Sequence, residues 1–194
     1  FNDVAWYRDD FSSKPIDELI TSLAPDESPQ ALPLPEDALT INVALKSDRP
    51  HPTVRVTVRL KDARGRYSTL SLGALNSADW TVLSTNLAPG GFAPPRSTVP
   101  ITLVSLRIDE TGAGRRLQAG SIIIDEVSVG GGDDQFKVIE TFDDTSGWSV
   151  LRVTSDAVSD SLRDSGVSVG GDGSSALFSW SSGTALTSRG LYYG

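Results

Sequence analysis

Val54-Arg55-Val56-Thr57-Val58-Arg59-Leu60-Lys61 alternates apolar and polar residues without a break. Successive side chains of an extended chain leave opposite faces, so Val54, Val56, Val58 and Leu60 predict a buried face and Arg55, Thr57, Arg59 and Lys61 a solvated one. The spacing predicts a strand over 53–61. Just beyond it, Asp62-Ala63-Arg64-Gly65 has the chemistry of a tight turn, with Gly65 able to take positive φ, and predicts a hairpin to a partner strand over 67–73. The same period runs upstream through Leu39, Ile41, Val43 and Leu45, set against Thr40, Asn42 and Lys46. Downstream it runs through Val104, Leu106 and Ile108, set against Ser105 and Arg107, and a further strand is expected over 80–87.

One segment has helical spacing. Ile16, Leu19, Ile20 and Leu23 fall on one stripe, Pro15 suits a first turn, and Asp17 and Glu18 suit its positive end. After it, Pro25, Pro29, Pro33 and Pro35 are expected to prevent regular structure, as are the prolines of 89–100. Gly130-Gly131-Gly132-Asp133-Asp134 reads as a flexible linker, followed by short strands over 136–142, 148–153, 167–169 and 176–180. Strands every ten to fifteen residues with one short helix predict an all-β antiparallel β-sandwich. The boundaries expected are a sandwich module over 1–130, a glycine-rich linker over 131–135 and further strands over 136–194. Those last strands either belong to a second module, the reading the spacing leans toward, or complete the first.

The 194 residues carry a formal net charge of -8. Nucleic acid is a poor partner for such a chain, because binding its phosphates requires a basic surface that releases counterions. There is no cysteine, so disulfides, thiol catalysis and thiolate metal sites are excluded. No apolar run reaches the about 20 residues of a membrane span, and no methionine is present, which points to a processed product or a fragment of a longer protein. Loops rich in Ser, Thr, Gly and Asp, with few lysines, suggest an exported bacterial protein.

Two acids stand where apolar side chains are expected. If 121–129 is a regular strand, Asp125 shares a face with Ile123, Val127 and Val129, and over 136–142 Glu140 shares one with Phe136, Val138 and Phe142. A buried carboxylate must be paired, hydrogen-bonded or metal-bound. Asp125 and Glu140, with Asp143 and Asp144 close in sequence, are candidate ligands for a structural calcium, which takes six to eight oxygens from loops. The simpler reading pairs them with buried arginines or backbone amides. Glycoside hydrolysis needs two placed carboxylates, and Asp9, Asp10, Asp109, Glu110, Asp125, Glu126, Asp143 and Asp144 are available, yet acidic pairs beside turns ordinarily satisfy local backbone donors. The single histidine, His51, lies between Pro50 and Pro52 and is expected exposed on a loop, which leaves no base for a Ser-His-Asp triad. Arg55 and Arg59 are expected to be solvated. Trp6, Trp80, Trp148 and Trp180 could form a sugar-stacking platform, but Trp148 shares a face with Val150, and Trp180 with Ala176 and Phe178, as core residues do. No catalytic constellation emerges, so the chain is expected to be non-enzymatic.

Glu140-Thr141-Phe142-Asp143-Asp144-Thr145-Ser146-Gly147-Trp148 resembles the opening strand of galactose-binding-like jelly-roll modules, which include many carbohydrate-binding modules. In such modules an acid near the start and an acid in the final strand, here within Ile124-Asp125-Glu126-Val127, often hold a structural calcium. The closing strand comes first in this chain, which implies two consecutive modules cut inside the second. A longer pattern comprises Trp6-Tyr7-Arg8-Asp9-Asp10-Phe11, the short helix, Leu34-Pro35, Leu60-Lys61-Asp62-Ala63-Arg64-Gly65-Arg66-Tyr67, Leu72-Gly73, Trp80 and Pro100-Ile101-Thr102-Leu103-Val104-Ser105-Leu106. It resembles the large extracytoplasmic region of bacterial ABC transporter permeases of the lipoprotein-release and cell-division type. That resemblance implies a membrane-anchored parent, an extracytoplasmic location, and contacts with a protein, a lipid-linked cargo or another envelope component. A carbohydrate-binding module of a secreted or surface enzyme is the alternative.

Overall fold

The turn after Lys61 is built as its residues dictate. Gly65 takes φ 76°, in the left-handed region that favours glycine. Its amide donates to the Asp62 carbonyl at 2.9 Å, and the Asp62 amide donates to the Arg66 carbonyl at 3.0 Å. This closes a hairpin between two antiparallel strands whose register runs from Lys61 opposite Tyr67. The computed structural model describes residues 31–87, 99–110, 119–131, 136–152, 161–169, 173–180 and 189–193. The helix expected around Ile16 to Leu23, Trp6 and the Asp9-Asp10 pair lie outside them.

In chain order the described strands are β1 (Leu32–Pro33), β2 (Thr40–Ser47), β3 (His51–Lys61), β4 (Tyr67–Leu75), β5 (Thr81–Asn86), β6 (Thr102–Glu110), β7 (Gly120–Gly130), β8 (Phe136–Glu140), β9 (Trp148–Arg152), β10 (Ser161–Ser165), β11 (Ser175–Trp180) and β12 (Arg189–Tyr193). They form two six-stranded antiparallel sheets. The first has the order β4-β3-β6-β12-β9, with β1 also beside β6. The second has the order β10-β11-β7-β2-β5, with β8 also beside β7. The all-β sandwich is therefore as expected from the periodicity, and no helix occurs among the described residues. Strands after the glycines enter both sheets: β11 pairs with β7, and β12 lies between β6 and β9. Phe142, Trp148 and Phe178 share one core with the side chains of earlier strands, among them Val43, Val58, Leu103 and Ile122.

Several expectations built on strict alternation need correction, and β-bulges explain most of them. In β7, Ala44 faces Glu126 and the next residue, Leu45, faces Ile124, so Asp125 is an extra, bulged residue. Its insertion shifts the parity of the strand. Ile122 and Ile124 join Val127 and Val129 in the core, and Ile123 is only partly buried on the opposite face. In β6 the extra residue is Val104, because Arg59 faces Ser105 while Leu60 faces Leu103; Val104 is buried as expected, but it is Leu103 that joins the core cluster with Leu106 and Ile108. In β8, Ile139 is bulged between Val138 and Glu140 and packs against the core, so the expected apolar face is turned outward and Phe136 is 71% exposed.

Other corrections are local. Pro33 does enter a strand, tolerated because β1 is only two residues long and pairs with β6 alone. Gly130 is the last residue of β7, opposite both Thr40 and Phe136, rather than part of a linker. The strand expected over 167–169 is instead β10 over 161–165, and both Val167 and Val169 are exposed. Arg55 is exposed as expected, but Arg59 is only 2% exposed, its guanidinium 4.6 Å from the centre of the Tyr67 ring. A desolvated contact of this kind is worth about 1–2 kcal/mol. Thr57, Ser105 and Arg107 are buried with it on the outer side of β3 and β6.

Candidate functional site: acidic rim and outer sheet face

The four candidate calcium ligands sit on β7, at the end of β8 and on the loop between β8 and β9, and hydrogen-bond donors of the chain reach each of them. Asp125, 9% exposed at the β7 bulge, accepts a hydrogen bond from the Val169 amide. Glu140 ends β8 and accepts from the Phe142 amide at 2.8 Å and from the Trp148 indole at 3.1 Å. These bonds hold a tight turn in which buried Phe142 takes φ 54°, a conformation costing a bulky residue about 1 kcal/mol or more. The Phe142 and Trp148 rings, with centroids 5.0 Å apart, give the turn its hydrophobic anchor. Asp143 accepts from the Thr141 hydroxyl at 2.9 Å and from the Ser174 amide at 3.2 Å. Gly173 lets that loop approach, since a Cβ there would lie 3.0 Å from Asp143 Oδ1. Asp144 is held below the ordinary carboxylate range by the amide and hydroxyl of Ser146.

Among the described residues no three carboxylate or imidazole side chains come together as a metal-binding group. Of the acids considered for glycoside hydrolysis, Asp109 and Glu110 end β6, Glu126 lies beside the β7 bulge, and Asp9 and Asp10 fall outside the described residues. The carboxylates thus serve as backbone clamps in this structure, fixing the turns that join β8 to β9 and β10 to β11.

A second cluster escaped the sequence reading. His51 is 8% exposed at the start of β3, with Nε2 2.9 Å from Asp48 Oδ1, rather than on an exposed loop. The Ser121 amide donates to the same oxygen at 3.1 Å, Arg49 approaches Asp48 Oδ2 at 3.3 Å, and Arg49 also donates to the Ala119 carbonyl at 2.6 Å. Burial pushes the Asp48 carboxyl up. The hydrogen bonds from His51 and the Ser121 amide, with the charges of His51 and Arg49, outweigh it and hold the group below its ordinary value. The cluster ties the β2–β3 turn to the start of β7. Because Ser121 is far from Asp48 in sequence, no local pattern announces it.

The outer face of the second sheet mixes apolar, hydroxyl and amide side chains. Across its strands run two rows, Asn86-Thr40-Gly130-Phe136 and Ser84-Asn42-Ser128-Val138, and beside them Val82-Ala44-Glu126. The middle row is a hydrogen-bonded ladder: Ser84 donates to Asn42 Oδ1 at 2.6 Å and Asn42 donates to the Ser128 carbonyl at 3.4 Å. Thr40 Oγ1 accepts from the Gly130 amide at 3.1 Å. The Phe136 ring covers Gly130, one of its carbons lying 3.4 Å from where a Cβ would stand. Phe136 and Val138 are thus exposed on β8 and Val82 on β5 at the far side of the face, while in the ladder between them Asn42 and Ser128 are buried and Ser84 is exposed. Between the sheets, by contrast, the cavity bounded by Val43, Leu45, Val56, Ile122 and Phe178 measures about 10 Å³, room for one water and no ligand.

Comparison with protein family models, with curated proteins and with solved structures finds no match to this chain.

Proposed function

We propose that the chain is a non-enzymatic contact domain, the extracytoplasmic β-sandwich of a bacterial ABC transporter permease, which engages a protein, a cargo or another envelope component outside the membrane. The observation that carries this reading is the outer face of the second sheet, where Phe136, Val138 and Val82 stay exposed around the ladder of Ser84, Asn42 and Ser128. Exposed apolar side chains grouped about a polar strip favour surface recognition. The membrane context rests on the resemblance of the Leu60 to Tyr67 and Pro100 to Leu106 stretches to permease ectodomains. Expressed whole, the parent polypeptide should sediment with membranes and resist extraction by alkaline carbonate. Its recovery as a soluble protein would overturn the permease reading.

A second reading, a carbohydrate-binding module of a secreted or surface enzyme, is favoured by the Phe136 ring lying over Gly130 beside amide and hydroxyl groups. The apolar face of a pyranose stacks on such a ring while its hydroxyls meet the half-exposed Thr40 beside Gly130. Affinity electrophoresis against a polysaccharide panel should then retard the chain, and Phe136→Ala should abolish the retardation. No retardation by any polysaccharide removes this reading.

A structural calcium, drawing on Asp125, Glu140, Asp143 and Asp144 after a shift of their present partners, belongs to the same proposal. An ion bound only by the native state must raise its stability. A melting temperature that neither calcium nor chelator moves would remove the ion from the account.

A further inference from the structure

Exposed strand edges invite pairing with another chain, and proteins commonly guard them with charge, proline or a bulge. Among the described residues the edge strands of this sandwich are guarded with one exception. The two-residue β1 is guarded by its Pro33. β4 carries the bulged Leu72 before Gly73, β8 carries Lys137, Glu140 and the bulged Ile139, β9 ends in Arg152, and β10 carries Arg163 and Asp164. β5, Thr81-Val82-Leu83-Ser84-Thr85-Asn86, has no charge and no proline, and its register with β2 is unbroken over six pairs. Among the described residues its other side pairs with no strand, every one of its residues is at least partly exposed, and Val82 is 63% exposed.

We infer that β5 is a self-pairing edge through which a second copy of this chain joins antiparallel, continuing the second sheet across a two-fold axis. The strand is complementary to itself. With the axis through Leu83, Leu83 faces its counterpart, Val82 faces Ser84 of the second copy, and Thr81 faces Thr85, giving apolar and hydroxyl pairs of the kind that stabilise antiparallel ladders. Charge supports a copy joined here rather than by a broad face. Each chain carries -8, which opposes general association, but the proposed seam holds no ionisable side chain. The main-chain donors and acceptors along the free side of β5 supply the attraction.

Sedimentation equilibrium of the intact 194-residue chain, from micromolar to millimolar concentration, should show a reversible approach to twice the chain mass. Val82→Glu places like charges at the seam and should weaken dimerisation at least tenfold. Val138→Glu, which adds the same charge on β8 of the same sheet face, should leave it unchanged. Both positions are exposed, so neither variant threatens the core. Hydrogen exchange gives a second readout, with β5 amides slowing as concentration rises. A wild-type chain monomeric at every concentration overturns the inference, even if it takes up an extended peptide along β5. So does a Val82→Glu chain that dimerises as well as wild type.

Discussion

Asp62 organises the first hairpin through one carboxylate. Its Oδ1 accepts from the amides of Arg64 and Arg66 at 2.9 Å each, and its Oδ2 from Arg66 Nε at 2.8 Å and the second guanidinium nitrogen at 2.6 Å. Burial raises its pKa, but the Arg66 guanidinium, the two amides and the Arg66 charge outweigh this and lower it from 3.8 to about 2. A depressed carboxylate pKa contributes stability that is fully present above the unfolded value and is lost as pH falls through the folded one. Allowing for solvent screening of the half-exposed Arg66, the contribution is about 1 kcal/mol. Asp62→Asn should therefore be less stable than wild type at pH 6, and the gap measured by urea denaturation should close between about pH 4 and pH 2; a gap that persists at pH 2 would refute the linkage. Glu140 makes a complementary case. Glu140→Ala removes the carboxylate that the Phe142 amide and the Trp148 indole share and should cost about 2–4 kcal/mol in the same assay, whereas Glu140→Gln, which keeps one acceptor, should recover part of the loss. The Asp62 turn was legible because its partners lie within four residues. The roles of His51, Asp48 and Arg59 were not, since the burial of His51 and Arg59, the contact of Asp48 with Ser121 and that of Arg59 with Tyr67 exist only after strands have paired.

At the level of the strand, alternation predicts where strands lie and fails where a bulge adds a residue. β2, β3, β4, β6 and β7 were all readable as strands, but reading Ile122 to Val129 in strict steps of two placed Ile123 with Val127. The actual core members, Ile122, Ile124, Val127 and Val129, are spaced two, three and two apart. No residue type marks the bulge in advance. Asp125 suits it because a bulged residue leaves the ladder, and its carboxylate there can reach the Val169 amide. A sharp consequence concerns deletions. Removing Asp125 would restore steps of two without turning either half of β7 over, leaving the core set intact at the loss of one hydrogen bond, about 1–3 kcal/mol. Removing Ser128, a ladder residue, would instead send Val129 to the outer face or Val127 with its neighbours out of register. The Asp125 deletion should retain cooperative thermal unfolding and the Ser128 deletion should not. The opposite ranking would show that the bulge does not set the parity of β7.

For the molecule as a whole, the decisive contacts join distant parts of the chain. β7 lies between β11 and β2 in one sheet, while β6 lies between β3 and β12 in the other, so each sheet interleaves strands from before and after Gly130. Local composition carries no record of such ordering, which is why the spacing left a second module and a completed first one as alternatives. β10 and β12 escaped notice for a related reason: Ser161 to Ser165 has one apolar residue, and Arg189 to Tyr193 lacks alternation, so only their neighbours make them strands. The core records the same interleaving, since Phe142, Trp148, Ala176 and Phe178 pack with Ile41, Val58 and Leu103. Phe178→Ala, at a site 1% exposed, should cost about 3–5 kcal/mol and lower one unfolding transition for the whole chain rather than a minor phase. A stronger test ends the chain after Gly130. That fragment keeps β1 to β7 but strips β11 from the Ile122 to Ile124 half of β7, strips β12 from β6, and removes four buried aliphatic or aromatic side chains from the core, including both Phe142 and Trp148. Residues 1–130 alone should accordingly bind a hydrophobic dye and show no cooperative melt, because strands with one partner missing and a core cluster without Phe142, Trp148 and Phe178, its aromatic members, cannot offset the entropy of ordering them. A sharp thermal transition from that fragment, with wild-type-like amide protection in β3 and β4, would mean that the later strands decorate a sandwich already complete without them.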